Sequence, residues 1–354
     1  MPIFDQGYQH WQGKLTGHAW RWRAVALQGS RQQARRRRTR WLVVVAFAPA
    51  LALAAFLIFW GLLEQQSSLI QPFMFLVQGL PEEVRSGPKA YRGAVWAMAY
   101  HWFFAVETFF AMLLVLSVGP DLVSQDLRFN AMPLYFSRPV RRADYFLGKL
   151  GVIASFLAAV SVGPALLAYA LGVAFSMDLG VIRDTWRLPA ASVAYGAVIV
   201  VSAGTLMLAV SSLSRNSRLV GATWIGLWIV SNVTADVLTR TVKRDWCPVV
   251  SYTANLDRVR EELFGTAAAR QKFLDLWVAG RAAGYEAARA SGPFARFLRR
   301  RPVPPPRPEE IPVPLRTPVH LRQPWPWSAG VLLGLFAISA WTLSTRVKSM
   351  DRLK

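Results

Sequence analysis

Few residues in this 354-residue chain are placed to do chemistry, and Glu107 is the most conspicuous of them. A carboxylate inside an otherwise apolar run is costly unless it faces a bundle interior or a wet cavity. It therefore reads either as part of a substrate path or gate, or as an acid neutralised by protonation or by a partner within a helical bundle. Helical spacings of three, four and seven put Tyr100, Phe103, Phe104, Phe110 and Ala111 on its side and His101 on another. The acidic pairs Glu82-Glu83, Glu261-Glu262 and Glu309-Glu310 fall in connecting segments, and His10, His18, His101 and His320 are scattered over three regions. No His-Glu-x-x-His, Gly-x-Ser-x-Gly or His/Cys cluster occurs, so neither a metal site nor a catalytic residue is expected. Gly7 to Gly13-Lys14 has the wrong spacing for a nucleotide-binding loop, and Leu15 stands where Ser or Thr is required. The chain is thus expected to hydrolyse no ATP by itself, to carry no cofactor and not to be an enzyme.

The elements that position Glu107 are apolar runs long enough to cross a bilayer, which takes about 20 helical residues. Hydrophobic residues make up 53% of the chain and the mean hydropathy is +0.27. The expected fold is an all-α polytopic membrane protein with six transmembrane helices. The first is the charge-free run Trp41 to Leu63. The second lies between Arg92 and Asp121, the third runs from Leu150 to about Met177, and the fourth lies between Arg187 and Arg215. The fifth is the shorter run Leu219 to Ala235, with Asn232 and Thr234 near its end, and the sixth runs from about Trp325 to Leu343.

The formal charge of +21 would suggest nucleic acid in a soluble chain, but here the basic residues lie between apolar spans and read as topology signals. Twenty Lys and Arg fall in segments assigned to the cytoplasm, against five in the two short outer loops. Both termini are expected on the cytoplasmic side of the inner membrane, with membrane lipids rather than nucleic acid as partners. Residues 1–40 form a basic segment in which Trp11, Trp20 and Trp22 alternate with arginines, expected to be an amphipathic interfacial helix. No removable signal peptide is expected there. Residues 41–236 hold five spans, residues 237–324 an extracytoplasmic insertion, and residues 325–354 the last span and a basic tail. The insertion divides into an Ala-, Arg- and Glu-rich part, expected to form one or two amphipathic helices that cap the bundle or lie at headgroups, and a proline-rich strut from Pro302 to Pro326. The single cysteine, Cys247, excludes an internal disulfide.

The connection at 120–149 is the most informative segment. It sets Leu127, Met132, Leu134, Tyr135 and Phe136 beside Asp126, Arg128, Arg138, Arg141 and Arg142, an amphipathic pattern able to dock in a groove on a soluble partner or to lie on the membrane with its arginines at headgroups. Ser137-Arg138-Pro139-Val140-Arg141-Arg142, followed by Tyr145 and Leu147-Gly148-Lys149, resembles the signature of type-2 ATP-binding-cassette (ABC) exporter permeases. Asp126 matches the acidic position about a dozen residues before the Ser-Arg-Pro at which that family's coupling helix begins. The chain departs from the family where Asn130-Ala131-Met132 replaces the frequent Gly-Thr-Leu, and in its long connection between the fifth and sixth spans.

The resemblance implies the permease subunit of an exporter, with a cytoplasmic coupling helix between spans two and three. Half a transporter implies a second permease subunit, identical or related, and a separate ABC ATPase for each. Asp126, Arg128, Ser137, Arg138, Pro139, Arg141 and Arg142 would then form the ATPase-coupling surface, with Lys149 anchored to phosphates or to the partner. Two rivals are a non-transporting ABC-like complex that passes ATPase motion to the external loop, and a membrane enzyme using Glu107.

Overall fold

A computed structural model describes residues 20–77, 81–136, 141–291, 306–307, 309–316, 318 and 321–351. Its regular elements are all helical among these residues. Helix α1 (Arg21–Ala34) leads into α2 (Arg37–Glu64), and after α3 (Glu82–Ser86) comes α4 (Pro88–Val118). Gly119-Pro120 lets α4 run on into α5 (Pro120–Arg128), with α6 (Met132–Phe136) beyond it. Helix α7 (Arg142–Leu157) passes through a π-turn at Ala158–Val162 into α8 (Gly163–Ser176). After α9 (Gly180–Thr185), helix α10 (Arg187–Ile199) passes through a π-turn at Val200–Gly204 into α11 (Thr205–Leu213). The chain continues through α12 (Ser217–Thr241), α13 (Tyr252–Phe264) and α14 (Thr266–Ser291) to α15 (Trp325–Asp351).

Five helical stretches among the described residues are long and apolar enough to cross a membrane: Arg37–Glu64, Pro88–Arg128, Arg142–Ser176, Gly180–Leu213 and Trp325–Arg346. They match the expected spans one, two, three, four and six. The expected fifth span is the helix α12, which is long enough to cross but is not among the five. Its Trp, Thr, Asn232 and Asp236 dilute an otherwise apolar sequence. The apolar residues that the spans leave exposed, such as Val44 and Leu51 on α2 and Leu333, Ile338 and Trp341 on α15, suit contact with acyl chains.

Close packing depends on small residues where helices cross, as in membrane bundles generally. A Cβ at Gly61 would stand 2.9 Å from the Phe175 carbonyl carbon, and one at Gly172 would stand 2.7 Å from the Trp96 ring. These two glycines let α2, α4 and α8 converge. Helix α1 packs against α7 at small residues in the same way. Gly148 and Gly151 of α7 receive Trp22, Val25 and Ala26 of α1, and the Ser30 and Ser155 hydroxyls lie 2.8 Å apart. Residues 1–19 lie outside the described residues.

Among the described residues the insertion forms two α-helices, and the first packs into the bundle. Helix α13 contacts α4, α10, α12 and α15, burying Tyr252, Leu256 and Phe264. The Phe264 ring sits 6.1 Å from Tyr100, 5.2 Å from Phe104 and 6.4 Å from Tyr195. Part of the expected proline strut lies outside the described residues. In the described part, Val313–Leu315 forms a 3-10 turn, and Glu310 is held 2.6 Å from Arg281 of α14.

The crossing at Gly61 is the tightest against backbone, which cannot move aside. Gly61→Val should destabilise the protein by about 1–3 kcal/mol, read as a lower thermal midpoint in detergent, whereas Gly226→Ala, which meets no atom within 4 Å, should be neutral.

Candidate functional site

The connection between the second and third spans is organised around Asp126. Asp126 lies in the last turn of α5, rather than opening a helix. The chain leaves α5 through Asn130, whose φ of 51° is a left-handed conformation that Asn tolerates and Gly adopts freely. This is the position where the family often has glycine. Tyr145 and Lys149, four residues apart on one face of α7, both reach Asp126. The tyrosine hydroxyl donates to Oδ2 at 2.6 Å, and the lysine ammonium lies 2.7 Å from the same oxygen. The ammonium also sits over the rings of Tyr135 and Tyr145, at 5.6 and 5.3 Å. Burial and the Asp126 charge push the Tyr135 hydroxyl above its ordinary range.

Lys149 is 9% exposed, so its charge serves this α5–α7 joint rather than standing free for phosphates. Gly148 keeps the joint compact. A Cβ there would meet Val25 of α1 at 2.5 Å.

The other end of α5 is fastened to the fourth span and to α12. The Ser211 hydroxyl accepts from the backbone N–H groups of Val123 and Ser124 and donates to the Pro120 carbonyl, and the Ser124 and Ser217 hydroxyls lie 2.7 Å apart. Arg36 pairs with Asp121, and Arg38 donates to the Ser117 carbonyl at 3.3 Å, so part of the basic run before span one is engaged at the α4–α5 bend. Sequence reading assigned these arginines to topology and to lipid headgroups.

The remaining residues of the expected coupling surface are less gathered. Arg128 is exposed over the Phe129 ring, and Arg141 is exposed, with its backbone N–H donating to the Asp144 carboxylate at the start of α7. Arg142 is partly buried. Ser137, Arg138 and Pro139 lie outside the described residues. Glu107 is fully enclosed, and neither carboxylate oxygen has a hydrogen-bond partner among the described residues. Tyr100, seven residues before it, donates to the Ala165 carbonyl at 2.8 Å, and Leu114, seven after it, packs with Ala46 and Val160. Glu107 thus lies at the level of the π-turn Ala158–Val162. Such turns are frequent at functional positions.

A second charge cluster, missed in sequence, lies at the opposite ends of the spans. The Arg92 guanidinium is 2% exposed and binds Glu64 at 2.5–3.0 Å, Asp178 at 2.9 Å and Asp184 at 3.2 Å. It ties the end of α2 to the start of α4 and to the segment around α9. The available signal was opposite charge at neighbouring span ends. The Arg92 guanidinium, with the Gly180 N–H, holds the Asp178 carboxyl below the usual carboxylate range. Its contribution is therefore present above that range and is lost as pH falls through the lowered value.

A family model described as ABC-2 family transporter protein matches residues 30–244. The chain belongs to the ABC-2 transporter family. The matched region contains α2 to α12 and the whole Asp126 joint, and it ends before α13. The ABC-2 match accords with the resemblance carried by the 120–149 connection, and this family generally works with an ABC ATPase partner. No curated protein and no solved structure matches the chain.

Two outcomes test these arrangements. Removing one member of a largely buried ion pair strands the other, so Lys149→Met should cost about 3 kcal/mol, while Asp126→Asn with Lys149→Met should cost less than the sum of the single changes. Thermal unfolding of the four proteins in detergent gives the coupling, and additive losses would refute the joint. An enclosed carboxylate without a partner is a burden on the fold, so Glu107→Gln should be at least as thermostable as the parent. A lower midpoint would mean that Glu107 is paired.

Proposed function

We propose that this chain is the transmembrane permease subunit of an ABC-type exporter, acting with a separate ATPase and a second permease copy or relative. The observation that carries the reading is the Asp126 joint. One carboxylate binds Lys149 and Tyr145 of the third span, while the other end of its own short helix is fastened to the fourth and fifth spans through Ser211 and Ser217. A push delivered there by an ATPase meets three spans at once. ATP-driven closure of the ATPases would tilt these spans and exchange inward- and outward-facing states.

The six-span topology is part of the proposal. Helix α12 has 25 residues and exposes Leu219, Ile229, Val230, Val233 and Val237, an apolar face suited to lipid, and an even count keeps both termini beside the basic segments of the cytoplasm. The membrane is the inner membrane on this reading, and Arg128, Arg138, Arg141 and Arg142 give the coupling surface its charge. Glu107 is a candidate for the substrate path, since a buried carboxylate kept without a partner serves packing poorly.

The packing of α13 favours a second reading. Phe264 reaches three aromatic rings of the bundle core, so motion of α4 and α10 would be felt in the insertion, as in a complex that passes ATPase motion outward without moving a substrate. ATP-dependent movement of a solute across vesicles separates the two.

Charge reversal tests the docking surface. Single exposed ion pairs are worth only about 0.2–1 kcal/mol, but like charges facing each other at an interface cost several. Arg138→Glu with Arg141→Glu should insert normally yet fail to co-purify with the ATPase or stimulate its hydrolysis. Wild-type levels of both would place the docking surface elsewhere. Topology is checked separately. A thiol tag at Ser291 should be reached from outside and tags at Asn130 and Met350 only from inside, whereas labelling of Met350 from outside would leave α12 out of the membrane.

A further inference from the structure

Beside the Arg92 cluster, α4, α10 and the α13–α14 corner enclose a cavity of about 570 Å³. It exists because the facing side chains are small. Ala90, Gly93, Ala94 and Ala97 form the α4 wall, and Ala268 and Ala269 the α14 wall. A Cβ added at Gly93 would reach only van der Waals distance of the Asp184 carbonyl oxygen, so the backbones themselves leave the space open.

Charge is graded along the cavity. Lys89 stands at the start of α4 and Lys272 beside it, with the Lys272 ammonium donating to the Ala90 carbonyl at 2.7 Å and lying 4.7 Å over the Tyr91 ring. One contact leaves Lys272 further N–H donors. Arg187 lines the cavity from the first residue of α10 and is exposed. Neither Arg187 nor Lys272 has an ion-pair partner among the described residues, and the cavity's one carboxylate, Asp184, is already engaged by Arg92. Ala97, eight residues or about 12 Å further along α4 than Lys89, joins Phe264 in an apolar end, and Leu188 adds an apolar side chain next to Arg187.

Cations at one end and an apolar slot at the other match an anionic amphiphile. A free inorganic anion would leave the apolar end empty, and a neutral solute would leave Arg187 and Lys272 without a counter-charge, Lys89 lying 3.8 Å from Asp178. The basic end lies at the outer limit of α4 and α10, where lipid headgroups meet the spans and snorkelling Lys and Arg side chains attract them. The volume falls within the range of small-ligand sites. We propose that this cavity binds an anionic lipid from the surrounding membrane, its phosphate held by Lys89, Arg187 and Lys272 and one acyl chain laid along the alanine–glycine wall.

The test uses the full chain in phosphatidylcholine vesicles doped with phosphatidylglycerol that carries a photoreactive acyl chain, with cross-links mapped by peptide mass spectrometry. Cross-links should concentrate at residues 93–97 and 264–269. Replacing Lys89, Arg187 and Lys272 together by Gln should lower them about tenfold or more. Two milder variants guard against misfolding. Arg187→Gln changes an exposed position and should lower the yield several-fold, and Ala268→Phe, also at an exposed position, should fill the slot and remove the cross-links with every charge retained. Labelling no greater than on other lipid-facing residues, or labelling indifferent to Arg187→Gln and Ala268→Phe, would overturn the proposal. So would equal competition by millimolar inorganic phosphate, which would mark a free-anion site.

Discussion

A charge inside an apolar bundle must be met by an opposite charge, because neither acyl chains nor packed helices solvate it. Most of the tertiary arrangement follows from that constraint. Arg92 gathers Glu64, Asp178 and Asp184 at one end of the spans, Lys149 meets Asp126 at the other, and Arg36 meets Asp121 at the bend between α4 and α5. Each pair joins elements far apart in sequence, so the charges set the register in which otherwise featureless apolar helices pack. Glu107 breaks the pattern, since neither of its carboxylate oxygens has a hydrogen-bond partner among the described residues.

The two charged ends differ in what they connect. The Arg92 cluster holds α2, α4 and the α9 segment through four charged groups, a rigid knot. The Asp126 joint is smaller and rests on one carboxylate oxygen shared by a lysine and a tyrosine. It sits where α5 leaves the second span, and its partners lie on the first two turns of α7. Ser211 extends the fastening to the fourth span. On the proposed function, a force applied to α5 would be distributed before it enters the membrane, as coupling to an external ATPase requires. Between the two ends, the π-turns at Ala158–Val162 and Val200–Gly204 interrupt the third and fourth spans and supply places where those helices can yield.

The sequence displays the spans because hydrophobic length is a local property, and the basic loop of residues 120–149 because its motif is contiguous. Helical structure in the insertion, expected as one or two helices, was likewise legible from periodicity. What sequence could not display is cross-helix register. Arg92 reads as the boundary of a span until its three carboxylates are brought together, and Lys149 reads as an available cation until Asp126 is placed beside it. The entry of α13 into the bundle was hidden for a related reason. Its Asp257, Arg258, Arg260, Glu261 and Glu262 argue for water, whereas Arg258 pairs with Glu261 and Glu262, Arg260 with Asp257 and Arg270 with Glu261, which leaves Tyr252, Leu256 and Phe264 to the core. Helix α12 is ambiguous at both levels, since Asn232 interrupts its apolar run and then accepts from Ser251 and Thr253.

The central claim is that force passes from α5 to the third span through Asp126 and Lys149. It is tested most directly by a reporter at the far end of that span. A fluorescent thiol label at Leu179, exposed just beyond α8, in a chain with Cys247→Ser, would report the span's movement when the purified complex with its ATPase is given ATP. The expected result is an ATP-dependent signal change in the parent that is lost when Asp126→Asn and Lys149→Met are combined, while ATP hydrolysis continues. An unchanged signal in the double variant would contradict the account and place transmission in another part of the chain.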